Sequence, residues 1–237
     1  MNDVPAQWTF SIVIPVLHES KIINTLLDSL KQIKNDESVE IIVVDGSPTQ
    51  DTLGVISDKD VRKYSCPQGR GRQMNEGAAN ATGEILIFLH ADTFLPSNAF
   101  SLIKTTLENK RYIGGAFALG IQTQNPLLKM IASFSTLRSR LTRAPYGDQV
   151  QFFRKSFFDK LGGYQHIPLM EDVEIMRRVR KNHGEIVILS TSVITSDRRW
   201  TQEGFLYTTV RDLIIIFLYW CGFPAEKLAK FYPWQKE

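Results

Sequence analysis

The sequence predicts an α/β protein with a mostly parallel central sheet and helices on both faces, and three observations lead there. Strand-like and helix-like segments alternate through the first half of the chain, the order expected when helical crossovers join parallel strands. The runs Ile12-Val13-Ile14, Ile41-Ile42-Val43-Val44 and Ile85-Leu86-Ile87-Phe88-Leu89 are β-branched or large and apolar without a break, which suits strands covered on both faces. Each run is followed closely by an acid-bearing segment: His18-Glu19, Asp45-Gly46 and Ala91-Asp92.

Hydrophobic periodicity places a strand over 10–17, a helix over 21–34, a strand over 40–45, a short helix after Thr49 and a strand over 61–66. A helix over 68–81, the 84–89 strand and a helix over 97–107 behind Pro96 follow. The second half is less regular. It predicts a strand over 115–121, an amphipathic helix over 126–143, a strand over 149–154 and a helix over 171–182. Strands over 185–189 and 193–196 and an apolar helix over 204–220 complete it. With no internal repeat and no low-complexity linker, the 237 residues are expected to form a single domain, 1–237.

At 43% apolar and 22% charged residues the chain has the composition of an ordinary folded protein. Its net charge of +3 conceals an uneven distribution, because residues 126–181 hold 11 Lys/Arg against 5 Asp/Glu. That surplus suits phosphate groups or an anionic membrane, with a solvated helix face as the plain alternative. A nucleic-acid partner is not expected, since no aromatic-interleaved basic motif or zinc spacing accompanies it. Cys66 and Cys221 match no metal-ligand spacing and read as small hydrophobes in a reducing compartment. With no secretory pattern at the N-terminus, the expected location is the cytoplasm.

Asp92 falls at the C-terminal end of the 84–89 strand, the edge where open α/β sheets bind ligands and where a carboxylate can hold a divalent cation against a phosphate. The alternative is that Asp92 merely caps the helix over 97–107. Glu19 and Asp45 leave their strands at the same edge, a convergence that capping alone does not explain. Neither G-x-G-x-x-G after the first strand nor G-x-x-x-x-G-K-[ST] is present, so side chains would have to hold a nucleotide. Asp45 could accept from a base N–H while a basic group meets the phosphates.

The segments Ser11-Ile12-Val13-Ile14-Pro15, Glu40-Ile41-Ile42-Val43-Val44-Asp45-Gly46-Ser47, Asn75-Glu76-Gly77-Ala78-Ala79-Asn80-Ala81-Thr82-Gly83-Glu84 and His90-Ala91-Asp92 resemble the family 2 glycosyltransferases of the GT-A fold. The likeness runs over about residues 10–200, and the His-Ala-Asp and Met-Glu-Asp motifs resemble a small bacterial subgroup. It implies a nucleotide-sugar donor, a divalent cation (Mn²⁺ or Mg²⁺), a nucleotide-binding half over about 9–125, an acceptor half over about 126–200 and a helical segment over about 201–237. By the resemblance, Pro15 and Glu19 line the nucleotide pocket and Asp45 binds the base. His90, Ala91 and Asp92 stand where the family has D-x-D, with Asp92 as the metal ligand.

Two departures stand out. Many members have Asp-Asp before Gly-Ser, whereas here Asp45 is followed directly by Gly46. His90 replaces the first Asp of D-x-D; Mg²⁺ can still use a single carboxylate with substrate phosphates, and an imidazole suits Mn²⁺ better. Gly69-Arg70-Gly71-Arg72 opens the third predicted helix, which makes Arg72, and less so Arg70, a candidate for the base or diphosphate.

In Met170-Glu171-Asp172, Asp172 matches the family's general base, and Glu174 reads as a first-turn residue favoured by the helix dipole. The reaction implied is inverting transfer, with alternatives in a sugar-phosphate nucleotidyltransferase or a non-catalytic nucleotide-binding protein. Arg198 and Arg199 could meet the diphosphate or simply brace the sheet end. The apolar stretch over 213–219 is too short to span a bilayer and is expected to be a core helix, or alternatively one lying in a membrane interface. The helix over 126–143 gathers Leu127, Met130, Ile131, Phe134, Leu137 and Leu141 on one face, with Arg138, Arg140 and Arg143 near its end. Peripheral contact at the inner face of a membrane, with a lipid-linked acceptor, is the corresponding alternative.

Overall fold

The computed structural model describes residues 9–34 and 37–232. The first half follows the predicted alternation: β1 (Thr9–Val16), α1 (Ile23–Lys34), β2 (Ser38–Asp45), α2 (Asp51–Val55), β3 (Val61–Ser65), α3 (Arg70–Asn80), β4 (Ile85–Phe88), β5 (Thr93–Phe94) and α4 (Ala99–Glu108). The second half contains β6 (Tyr112–Gln122), α5 (Pro126–Thr142), β7 (Gln151–Arg154), α6 (Lys155–Leu161), α7 (Glu171–Lys181), β8 (Glu185–Ser196), α8 (Arg198–Glu203), α9 (Phe205–Trp220) and α10 (Ala225–Leu228).

All the strands among the described residues join one sheet in the order β3-β2-β1-β4-β7-β6-β8-β5. Pairs β1·β2, β1·β4, β2·β3 and β6·β8 are parallel, while β7 runs antiparallel to both β4 and β6. The chain therefore builds outward from β1 to β3 and then crosses back to β4. The switch point lies between β1 and β4, where such sheets open a ligand crevice beyond the strands' carboxyl ends. Because β7 is reversed and β6 and β8 are not, the start of β7 and the ends of β6 and β8 reach that same edge.

Strand pleat divides the core. Phe10, Ile12, Ile14, Ile85 and Ile87 face α1 and α4, meeting Leu26, Leu30, Phe100 and Ile103. Val13, Leu86 and Phe88 face the other way, toward Met74 and Ala78 of α3 and Ile175 and Met176 of α7. Helix α3 lies so close to β1 that a Cβ on Gly77 would stand 2.3 Å from Val13 Cγ1. Part of the Asn75–Glu84 motif is thus structural. At the opposite sheet edge Glu40 accepts from the Ser11 hydroxyl at 2.5 Å and from the backbone N–H groups of Thr82 and Gly83. Burial works against its charge, yet these bonds and Arg62 hold its carboxyl down at about 2.

Besides the short elements β5, α8 and α10, which the sequence reading did not expect, it departs from the structure in three places. The strands expected over 185–189 and 193–196 are one strand, β8. Its residues 189–191 bulge opposite Phe117 alone, between the pairs Ala116↔Ile188 and Ala118↔Ser192. Helix α6, absent from the expectation, is a short segment closed by Gly162 at φ 81. The third concerns the apolar helix expected in the core: α9 buries Thr208, Arg211 and Ile215 and leaves Leu213, Ile214 and Phe217 exposed. Cys66 is half-buried and Cys221 exposed, both as free thiols.

Candidate active site

Helix α4 begins at Ala99 behind Asn98, so Asp92 is not its cap. Asp92 instead faces Arg198, which enters from the end of β8. The Arg198 guanidinium donates to both carboxylate oxygens of Glu19 at 2.7 Å, and its Nη2 lies 3.6 Å from Asp92 Oδ2. This planar fork ties the exits of β1, β4 and β8 together. Burial raises the Asp92 carboxyl above its ordinary range; Arg198 pulls it back and Glu19 pushes it further.

Asp45 is fully buried at the end of β2. Its Oδ1 accepts from the Ser47 N–H at 2.8 Å, while Oδ2 has no hydrogen-bond donor among the described residues. A buried carboxylate oxygen without a donor costs about 1–3 kcal/mol, so the arrangement favours a ligand N–H at that point. Gly46 has a packing cause. Gln73 spans beneath it, donating to Val16 O at 2.6 Å and Val44 O at 2.9 Å, and a Cβ at Gly46 would lie 2.9 Å from the Gln73 amide. The Gln73 side chain fills the space that a second Asp would need.

Next to Gly46 an open depression of about 540 Å³ runs over Ser47, Pro48 and Cys66 to Gln68. A smaller one of about 350 Å³ adjoins it through Cys66 and Pro67 and reaches Arg72. Arg72 is thus exposed at the rim on the Asp45 side. Pro15 lies in β1 opposite Val44, half-buried, one residue from the strand end.

On the other side of the switch point, Asp172 sits in the first turn of α7 and is 7% exposed. Its Oδ2 accepts from the Gly147 N–H at 2.7 Å and its Oδ1 from the Val173 N–H at 2.8 Å. Gln151 Nε2 donates to the Asp172 carbonyl at 3.2 Å and to Pro145 O at 2.8 Å, and the Tyr164 hydroxyl fixes Gln151 in turn. Two non-glycine residues beside the site hold a left-handed backbone, Val150 at φ 53 and Met170 at φ 67. Such conformations cost of order 1–3 kcal/mol and persist where surrounding structure enforces them.

Arg70, the less favoured of the two arginines, is the one inside the site: its Nε donates to buried Glu171. Burial raises the Glu171 carboxyl, and Arg70 opposes that shift. Glu174 lies in the first turn of α7 and pairs along that helix with Arg178 at 2.6 Å. Ala91 is buried in the core face. His90 belongs with Asp172, because both converge on Gly147: a Cβ there would lie 3.0 Å from His90 Nε2 and 3.4 Å from Asp172 Oδ2. Burial, with Arg70 and Arg199, lowers His90 to about 3, so it is neutral near pH 7.

Sequence reasoning missed Asp148. It precedes β7 at the same edge, with its Oδ1 buried and without a partner among the described residues. Burial and then Asp172 push its carboxyl up to about 6, against Arg199, Arg138 and Arg70. The native state keeps this proton to about pH 6, whereas the unfolded chain loses it near the ordinary ~3.9. Native protein therefore binds more protons across that window, and stability falls as pH rises through it. Asp148→Asn removes the cost. Thermal denaturation should show the variant gaining stability over wild type above about pH 6 and losing that gain toward pH ~4; a gain independent of pH would contradict the assignment.

A cation at Asp92 fits one kind of site only. No group of three or more His, Cys, Asp or Glu among the described residues could cage a metal ion. Asp92 offers one carboxylate whose charge is disfavoured by burial, which matches a Mg²⁺ or Mn²⁺ held largely by diphosphate oxygens.

A β3-β2-β1-β4 sheet with carboxylates at its switch point and no glycine-rich phosphate loop is a GT-A-type arrangement. Residues 11–162 match the model of the family described as glycosyl transferase family 2, and the chain belongs to that family. A PGL/p-HBAD biosynthesis glycosyltransferase of Mycobacterium bovis (strain BCG / Pasteur 1173P2) is 34% identical over 94 residues, which is 36% of each chain. A glucosyl-3-phosphoglycerate synthase of Mycobacterium tuberculosis (strain CDC 1551 / Oshkosh) is 29% identical over 101 residues, 39% of this chain and 31% of that one. The match thus spans about a third of these relatives' length. Among solved structures, S. aureus TarS 1–349 in complex with UDP aligns with a TM-score of 0.65 at 17% identity, covering 79% of this chain and 60% of that 1–349 chain. Mannosyltransferase PcManGT from Pyrobaculum calidifontis, in complex with GDP-Man and Mn²⁺, aligns at 0.59 and 17% identity, covering 81% and 57%.

Proposed function

We propose that this chain transfers a sugar from a nucleotide-sugar donor to an acceptor hydroxyl with inversion at the anomeric carbon. The observation that carries the reading is the buried Oδ2 of Asp45, without a donor among the described residues, at the exit of β2, with Asp92 beyond the exit of β4 and Asp172 beside the start of β7. Asp45 accepts from the base, over the depression bordered by Gly46, and Arg72 stands at its rim. The solved neighbours bound to UDP, or to GDP-Man with Mn²⁺, support a nucleotide-sugar donor and a divalent cation. Family membership favours sugar transfer over nucleotidyl transfer.

Asp172 removes the acceptor proton. Each of its oxygens accepts a single backbone N–H, which orients the carboxylate and leaves lone pairs for the hydroxyl. The acceptor oxygen bonds to the anomeric carbon as the bond to the diphosphate oxygen breaks on the opposite face, and that electron pair leaves with the nucleoside diphosphate. Asp92, with the diphosphate oxygens, would hold Mg²⁺ or Mn²⁺, which neutralises charge on the leaving group. Arg198 holds Glu19 and Asp92 in place, and neutral His90 packs beside the base without adding charge.

Asp45→Ala tests the donor half. Calorimetric titration with a panel of nucleosides and their diphosphates should show affinity for the nucleoside falling about tenfold to a hundredfold, the range of a charge-assisted hydrogen bond. Loss confined to the diphosphate increment would remove Asp45 from the base.

A further inference from the structure

Helices α5 and α9 are built inside out. On α9 the protein-facing residues are Thr208, Arg211 and Ile215. The helix's two charges, Arg211 and Asp212, are held by each other, by Glu203 and by Arg199. Its outer face carries Leu206, Val210, Leu213, Phe217 and Trp220, between 45% and 72% exposed and recurring every third or fourth residue. On α5 the inner face is Leu128, Ala132, Thr136 and Ser139, whereas Leu127, Met130, Phe134, Leu137 and Leu141 point outward. A helix surrounded by water alone has the reverse polarity. The two helices meet at one end, since Ile131 of α5 and Phe205 at the start of α9 pack against the same cluster of Leu119, Ile121, Leu128 and Ala132. Apolar faces of this extent mark an interaction surface.

Charge identifies the occupant. Helix α5 carries Lys129, Arg138 and Arg140 and no acidic residue, and Lys129 and Arg140 are exposed. A second copy docked two-fold on this face would bring the same cations together, whereas anionic headgroups complement them. No helix of the described residues is long and apolar enough to cross a membrane. The 16 residues of α9 span roughly 24 Å and suit a helix lying in the interface, with Phe217, Trp220 and Phe223 at headgroup depth.

We propose that the outward faces of α5 and α9 seat the protein on an anionic lipid bilayer. The seat stands independently of the transfer reading, although it bears on it. Ile215 on the inner side of α9 packs with Leu169, Met170 and Val173, so the bilayer surface lies about one helix diameter, ~10 Å, from the Asp172 segment.

The test is co-sedimentation of the full chain with vesicles of phosphatidylcholine alone or mixed with phosphatidylglycerol. Wild type should bind the mixed vesicles at low ionic strength, bind the neutral ones weakly and detach as salt rises. The exposed pair Leu213→Glu and Phe217→Glu should abolish binding. The pair Lys129→Glu and Arg140→Glu should lower partitioning about fivefold or more per residue. Arg138, which stacks on Tyr146, and Arg143, which donates to Ile186 O, are left intact because they hold the fold. Circular dichroism and nucleoside-diphosphate titration should be unchanged in both pairs, keeping folding and the donor site separate from the lipid result. Absence of wild-type binding to mixed vesicles would overturn the proposal, as would equal binding to neutral ones. So would a dimer in solution that the α9 pair disrupts without any vesicle binding, since a second copy would then cover the face.

Discussion

Asp172→Asn should bind nucleoside diphosphate as wild type does and turn over about 10²–10⁴-fold more slowly, the usual contribution of a positioned base. The amide is nearly isosteric with the carboxylate. It can still accept from the Gly147 N–H through its oxygen, so the turn holding the site is kept while the basic oxygen is lost. Asp172 is bonded to Gly147 and Gln151 at the start of β7, whereas Asp45 ends β2, which is why donor affinity should not move. Single-turnover transfer and calorimetry on the same preparation separate the two effects. Near-normal turnover would shift the base role, with Asp148 the next group to test because it is buried beside Asp172 and keeps one oxygen without a partner among the described residues.

Asp92→Asn should cut Mn²⁺-dependent affinity for nucleoside diphosphate by at least about tenfold and leave metal-free affinity close to wild type. The carboxylate is the only charge the proposal assigns to the cation, and burial already makes that charge costly. Its removal also relieves Arg198 of its 3.6 Å partner while the paired contact to Glu19 survives, so the edge should keep its shape. Calorimetric titrations with and without Mn²⁺ measure the difference directly. An unchanged Mn²⁺ increment would take Asp92 out of the metal site.

The sheet and the Asp45–Asp92 edge were legible because apolar runs over 12–14, 41–44 and 85–89 and their acidic exits are local signals. Asp148 was hidden. Its edge depends on β7 being antiparallel to β4, and strand direction is not written in periodicity. The pairing of Arg70 with Glu171 joins residues 101 apart in the chain, again a product of topology. The reason for Gly46 lay 27 residues away in Gln73, whose amide fills the space beneath it. For α9 the apolar pattern was read correctly, but not the side it faces. Outward orientation follows from Arg211 and Thr208 pairing inward, a burial of polar groups that composition alone disfavours.

The central claim is that the β1–β4 switch point is a nucleotide-sugar site that acts on its donor. Purified protein incubated with a panel of nucleotide sugars, with and without Mn²⁺, tests it most directly, because slow hydrolysis of the donor reports the site without an identified acceptor. The account predicts that at least one nucleotide sugar is cleaved to its nucleoside diphosphate, that Mn²⁺ accelerates the cleavage, and that Asp92→Asn loses the acceleration. A folded protein that neither binds nor cleaves any member of the panel would contradict it.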